Sequence, residues 1–211
     1  MEKQPGFSAI EDCLLHDEAP SGRLRAFARE PWFRAFPFSM LLKLQETRQS
    51  PVHHPEGDVW EHTMLVVDTA AALKTRSAGP RAFLWTALLH DIGKPDVTRI
   101  RRGRVTAYDH DRHGADKARE FLAALTDETD LIERVAWLVR YHMQPLYVLK
   151  SLPFQDIAGM RAHTDVREVA LVAYCDRLGR TGADRNKEKS NVLLFLNKCN
   201  ERKDVLRPKT E

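Results

Sequence analysis

The stretch Leu84-Trp85-Thr86-Ala87-Leu88-Leu89-His90-Asp91-Ile92-Gly93-Lys94-Pro95 constrains the fold of this chain more than any other. Apolar residues occupy nearly every face of the run before His90, so a helix here must lie at the centre of a core. Gly93 and Pro95 are stop signals just beyond it. A His-Asp pair at the buried end of a core helix is costly by itself, because an ionised carboxylate removed from water needs a partner or a metal. A divalent cation would satisfy both side chains together. The dipeptide alone is equally compatible with an ordinary histidine and a solvated aspartate at a helix C-terminus, so the rest of the chain has to decide.

A chain of 211 residues is long enough for one domain with a full-sized core. Apolar residues make up 43% and charged residues 30%, which fits a soluble globular protein and argues against disorder. Residues 1–10 contain no apolar signal-peptide core, and no run approaches the length needed to span a bilayer, so a cytoplasmic location is expected. Cys13, Cys175 and Cys199 are widely spaced and include no CxxC pair. They indicate neither a disulfide framework nor a thiolate zinc site. A formal charge of +3 is only mildly basic; it permits phosphate-bearing substrates without demanding nucleic acid.

Residues 1–50 carry Phe7, Ile10, Leu14, Leu24, Phe27, Trp32 and Phe33, interrupted by Pro5, Pro20, Pro31 and Pro37. This is too little for an independent core, so it reads as a helical extension packed on the main body. Ser50 to Asp58 is dense in turn formers, and its His53 and His54 suggest roles behind a ligand set or in the loop itself. Asp58 followed by Glu61 has capping-box spacing, which predicts a helix from there to about Leu73 with His62 on its first turn. Arg99, Arg101, Arg102 and Arg104 form a basic segment with a possible hairpin turn at Arg102-Gly103. It is either a solvated loop or a contact for a substrate phosphate or an RNA backbone.

Further along, His110-Asp111-Arg112-His113-Gly114 opens a helix with Ala115, Ala118, Phe121, Leu122 and Leu125 at helical spacing. A helix over Thr129–Met143 places His142 on its apolar face, with Pro145 ending it. Phe154–Met160 reads as a short helix and Asp165–Leu178 as another that carries Asp176 among apolar residues. Thr181–Glu211 holds a helix over Asn191–Asn200 and a charged tail. No strand run is convincing, so the fold class is all-α. Singly, each of these polar residues has an ordinary explanation. Together, His62, His90, Asp91, His110, His142 and Asp176 fall at the ends or inner faces of core helices, which is how a bundle builds a metal site. Imidazole and carboxylate donors suit Mn, Fe, Co, Ni, Zn or Mg as one or two divalent ions.

The order His62, His90-Asp91-Ile92-Gly93-Lys94, His110-Asp111, His142, Asp176 before Gly179-Arg180 resembles the HD-domain metal-dependent phosphohydrolases over about residues 54–180. The stretch His54-Pro55-Glu56-Gly57-Asp58-Val59-Trp60-Glu61-His62-Thr63 is most similar to the HD domain attached to bacterial CCA-adding tRNA nucleotidyltransferases. Residues 1–50 are too short for a nucleotidyltransferase head, so only the hydrolytic half is carried over. The resemblance implies an HD-domain helical bundle over residues 51–180, between the extension at 1–50 and a C-terminal helix and tail at 181–211.

It also implies a phosphomonoesterase or 2′,3′-cyclic phosphodiesterase acting on nucleotides or RNA-end phosphates through a metal-activated water. Asp91 would bridge, with His62, His90 and Asp176 on one metal and His110 and His142 on a second. Lys94 would be a catalytic or phosphate-binding cation, with Arg180, Arg102 and Arg104 as further substrate contacts. His113 falls outside the motif position that His110 fills. Dinucleotide pyrophosphohydrolysis and a non-catalytic module binding RNA or nucleotide are the alternatives.

Overall fold

Burial of the Leu84–Leu89 run sets the architecture. The computed structural model describes residues 5–52, 54–101 and 103–205. In chain order its helices are α1 (Pro5–His16), α2 (Ser21–Phe27), α3 (Ser39–Leu42), α4 (Val59–Leu73), α5 (Pro80–Leu89) and α6 (Lys94–Val97). A hairpin of β1 (Arg99–Arg101) and β2 (Arg104–Thr106) follows. After it come α7 (His110–Ala123), α8 (Thr129–Tyr141), α9 (Gln144–Leu149), α10 (Ile157–His163), α11 (Val166–Leu178) and α12 (Arg185–Val205). The fold is an all-α bundle; the antiparallel hairpin, with Ile100 opposite Val105, is the one sheet among the described residues. No helix among them is long and apolar enough to cross a membrane.

Helix α5 is buried at every position from Ala82 to Leu89, as an all-round apolar helix must be. Each fully buried Leu or Phe contributes roughly 1.5–3 kcal/mol, so α5 is the natural centre around which α4, α8 and α11 collect. The N-terminal helices share its core. Phe7 stacks on Trp85 with ring centroids 5.1 Å apart, and Ile10, Cys13 and Leu14 belong to the same apolar cluster. Arg81 ties this layer together, reaching Glu11 at 2.6 Å and Glu128. A smaller cluster around Tyr141, Met160, Phe195 and Cys199 seats α10 and α12 against α8. All three cysteines are buried.

Local signals explain most helix starts. Asp58 accepts the Glu61 N–H at 2.9 Å and opens α4, as its spacing predicts. The reciprocal half of the capping box is not made, because the Glu61 carboxylate accepts from Arg25 at 2.6 Å instead. Asp165 opens α11 by accepting from Arg167 N. Asp109 stands in the left-handed region, φ 59° and ψ 17°, which ends the approach from the hairpin and makes His110 the first residue of α7.

Several boundaries differ from expectation. The prolines expected to stop helices also start them: Pro95 lies in the first turn of α6 and Pro145 in that of α9, where a missing N–H costs nothing. Helix α8 ends at Tyr141 and α10 begins at Ile157. Helix α12 extends beyond the apolar stretch 191–200 that announces it, because polar residues on a solvated helix face leave no periodic signal.

Gly93 is not a left-handed cap; its backbone is right-handed, φ −82° and ψ −16°. Its value is proximity. A Cβ there would lie 2.4 Å from His110 O and 2.4 Å from Gly114 N, so the turn after α5 and the first turn of α7 touch main chain to main chain. Gly93→Ala is expected to destabilise the protein by about 1–3 kcal/mol, as overpacking of a close contact does. Gly22→Ala, where a Cβ meets nothing within 4 Å, should be neutral or stabilising by up to about 1 kcal/mol. Urea unfolding of both variants checks the contrast.

Candidate metal centre

The end of α5 delivers His90 and Asp91 into the middle of the bundle, and four other elements converge on them. α4 brings His62, the start of α7 brings His110, the turn after α8 brings His142, and α11 brings Asp176. All six side chains are buried. Asp91 is the hub. Its Oδ2 lies 3.2 Å from His90 Nε2 and 4.0 Å from His62 Nε2. Its Oδ1 lies 3.5 Å from His110 Nε2 and 4.0 Å from His142 Nε2. The carboxylate thus faces one histidine pair with each oxygen. Two ligand groups result, His62-His90-Asp91 and Asp91-His110-His142, each with its donor atoms within 4.8 Å of one another. Asp176 joins the first, its Oδ1 3.0 Å from His62 Nε2.

The rings are oriented by the backbone. His90 Nδ1 donates to Ala87 O at 2.9 Å, His110 Nδ1 to Ala107 O at 2.8 Å, and His142 Nδ1 to Val139 O at 2.6 Å. A carbonyl can only accept, so each Nδ1 carries a proton, and each Nε2 faces the cluster, where a neutral ring offers its lone pair. The buried Nε2 of His90 has no hydrogen-bond partner. His110 Nε2 and His142 Nε2 face each other at 3.3 Å, lone pair against lone pair when both rings are neutral. Burial lowers the pKa of both rings against the opposing pull of Asp91, and His142 falls to about 4. These residues fit a divalent cation: an orphaned imidazole nitrogen, two apposed lone pairs and two carboxylates, with no thiol.

His62 differs. Its Nδ1 stands 2.8 Å from Glu56 Oε1 and its Nε2 3.0 Å from Asp176. Burial works against its charged form, but these two carboxylates outweigh it and raise its pKa. Burial likewise works to raise Asp91 and Asp176, yet the cations around them prevail. Lys94 foremost holds Asp91 well below the ordinary carboxylate range, and Arg180 and His62 do the same for Asp176.

The ligand-type residues singled out by sequence therefore come together. Among the expected substrate contacts, Lys94 lines the cavity that opens from the cluster, its ammonium 2.7 Å from Asp91 Oδ2 and 2.6 Å from Gln49 Oε1. Arg180 lines it too, 3.5 Å from Asp176. Arg104 is exposed on β2 and does not line it. Arg102 lies outside the described residues, as does His53. His113 is exposed, one helical turn past His110 but pointing off the cluster.

Arg48, Lys150 and Arg177 line the cavity, of about 300 Å³, without having been singled out; they come from three separate elements and form no motif. Glu56 also escaped sequence reasoning. It accepts from His54 Nδ1 at 2.9 Å, and its one signal is an acidic residue inside the Pro-Glu-Gly-Asp turn that precedes the capped helix.

Acid should act on this cluster through its neutral rings. The folded protein keeps His142 unprotonated down to about pH 4 and His54 to about pH 3, whereas the unfolded chain protonates both near the ordinary value of 6.5. The unfolded state thus binds more protons below pH 6.5, and stability falls as pH drops from 6.5 towards 4. In the presence of chelator the slope should approach about 1.4 kcal/mol per pH unit for each proton taken up. Urea midpoints across that window, with a shallower slope in His142→Gln, provide the check.

An HD domain family model matches residues 59–181, more than half of the chain. A multifunctional CCA protein of Ralstonia nicotianae is 40% identical over 187 residues, covering 84% of this chain and 42% of its own. The CC-adding tRNA nucleotidyltransferase of Thermus thermophilus is 38% identical over 139 residues, 65% of this chain and 31% of its own. The multifunctional CCA protein of Aromatoleum aromaticum is 33% identical over 142 residues, 64% of this chain and 33% of its own. The chain thus spans about a third to two fifths of the length of these relatives. The matched region holds every residue of the buried cluster, and the chain belongs to the HD domain family, within the metal-dependent phosphohydrolase superfamily.

Proposed function

We propose that the protein hydrolyses a phosphate ester of a nucleotide or an RNA end, as a phosphomonoesterase or a 2′,3′-cyclic phosphodiesterase. The observation that carries this reading is the placement of Asp91 between two histidine pairs, one facing each carboxylate oxygen. His62, His90, Asp91 and Asp176 would hold one divalent ion; Asp91, His110 and His142 would hold a second. Such an ion polarises phosphate oxygens and lowers the pKa of water towards neutrality.

The chain's own residues bind and orient the anion. Arg48, Lys94, Lys150, Arg177 and Arg180 line the cavity in which the phosphate would sit, and cations held in a partly water-excluded site stabilise charge that develops on the leaving oxygen. Lys94, held between Asp91 and Gln49, would meet a phosphate oxygen beside the ligands. The CC-adding relative bears tRNA in its name, which makes an RNA-end phosphate a reasonable candidate alongside free nucleotides.

Elemental analysis of protein purified without chelator should find one or two divalent ions per chain. Nucleoside 2′,3′-cyclic phosphates and p-nitrophenyl phosphate should be hydrolysed under added Mn, Co, Ni or Mg. Asp91→Ala should lose metal and activity together by about a hundredfold or more, since even outer partners of a metal ligand are each worth about 10–100-fold. His113→Ala should behave as wild type. Metal-free protein that is inactive with every ion would refute the reading, provided circular dichroism shows the variants folded.

A further inference from the structure

A second cavity, of about 510 Å³, opens on the far side of His110. Three aromatic rings line it, Tyr108 from the segment before α7, Tyr147 from α9 and Phe154 from the loop before α10, beside the Asp111–Arg140 ion pair, which is closed on itself at 2.7 Å. It shares His110, Met143 and Leu146 with the cavity at the metal cluster, so the two spaces meet across one layer of side chains. Tyr108 is 63% exposed and Phe154 54%. Large rings left in water at a cavity mouth cost burial energy, and clustered ones mark a binding surface. The Phe154 ring meets Tyr147 edge to face at 5.6 Å, and Arg101 lies over Tyr108 at 6.0 Å, so both rings are held rather than loose.

We infer that this aromatic recess is the nucleobase subsite of the same centre: a planar base stacks between Tyr108 and Phe154 while its phosphate lies on the other side of His110. Only the phosphate's position rests on the phosphohydrolase reading. The continuity of the two cavities selects the occupant. A ligand with one end in a cation-lined cavity and the other among aromatic rings, joined across the width of one imidazole, carries a phosphate and a flat ring separated by a sugar. Stacking recognises any base by its face, so the subsite separates nucleotides from sugar phosphates rather than one base from another. Exposed Arg112, at the rim, can donate to base edges. A free nucleoside and the terminus of an RNA present the same chemistry to the recess.

Two measurements test the assignment on the full chain. In saturation-transfer NMR with adenosine, the base protons should receive more saturation than the ribose protons. The double variant Tyr108→Ala/Phe154→Ala, which removes exposed rings and leaves the core intact, should abolish the effect, and Phe154→Trp should keep it. Kinetically, the ratio of kcat/KM for AMP over that for ribose 5-phosphate should fall about tenfold or more in the double variant, mainly through KM, as expected when base stacking is lost. An unchanged NMR signal or an unchanged ratio in the double variant would overturn the proposal. Recess-dependent adenosine binding with no ester hydrolysed by the wild type would support the subsite while refuting the phosphohydrolase reading. Comparison of cAMP (2′,3′-cyclic) with a trinucleotide ending in the same cyclic phosphate identifies the source, the larger kcat/KM naming free nucleotide or RNA terminus.

Discussion

An ionised carboxylate at the centre of a helical bundle is the constraint on which the rest of this structure depends. Asp91 is almost wholly removed from solvent, and the penalty for moving one such ion out of water is several kcal/mol even after relaxation. The core helix that carries it cannot be rotated to expose it, because every face of α5 is already committed to packing. The surroundings must therefore come to the aspartate. Lys94 does so from the next turn, and His62, His90, His110 and His142 arrive from four segments with Nε2 atoms gathered about its two oxygens.

The bundle divides two tasks between two kinds of element. Donor atoms sit on helices or helix ends, with the rings of His90, His110 and His142 locked by Nδ1–H bonds to carbonyls three residues earlier. That local device fixes tautomer and direction without needing a distant partner. The walls of the cavities come from elsewhere: Arg48 from the turn before the Pro-rich loop, Tyr108 from the hairpin exit, Phe154 from the loop after α9. The donor cluster resides in the rigid interior and the cavity walls in the connections around it, a common division where loops are presented by a packed scaffold.

What could be read from sequence follows this division. The α5 run, the Asp58 cap of α4 and the apolar faces of α7, α8 and α11 are periodic or locally signalled, and with them came His62, His90, Asp91, His110, His142 and Asp176. Residues whose importance is purely spatial left no such trace. Glu56 reaches His54 and His62 only because the turn folds back on α4. Lys150 and Arg177 are ordinary cations until tertiary packing turns them into one cavity. The arginines of the hairpin attracted attention as a cluster along the chain, yet a strand alternates its side chains, and Arg104 projects into solvent while Val105 lines the cavity. Pro95 and Pro145 were legible as helix boundaries, but a proline does not say on which side the helix lies.

The backbone contact between Gly93 and the start of α7 has a consequence for how such a protein can diversify. The two ligand groups are carried by segments pressed together at the limit of main-chain approach, so no exchange of side chains at that seam can bring them nearer, and any added atom drives them apart. The spacing of the donors is inelastic. The exposed rings and the basic rim are under no comparable restriction. Descendants of such a chain would be expected to change what they recognise many times over while the separation of their donor atoms stays where two glycines put it.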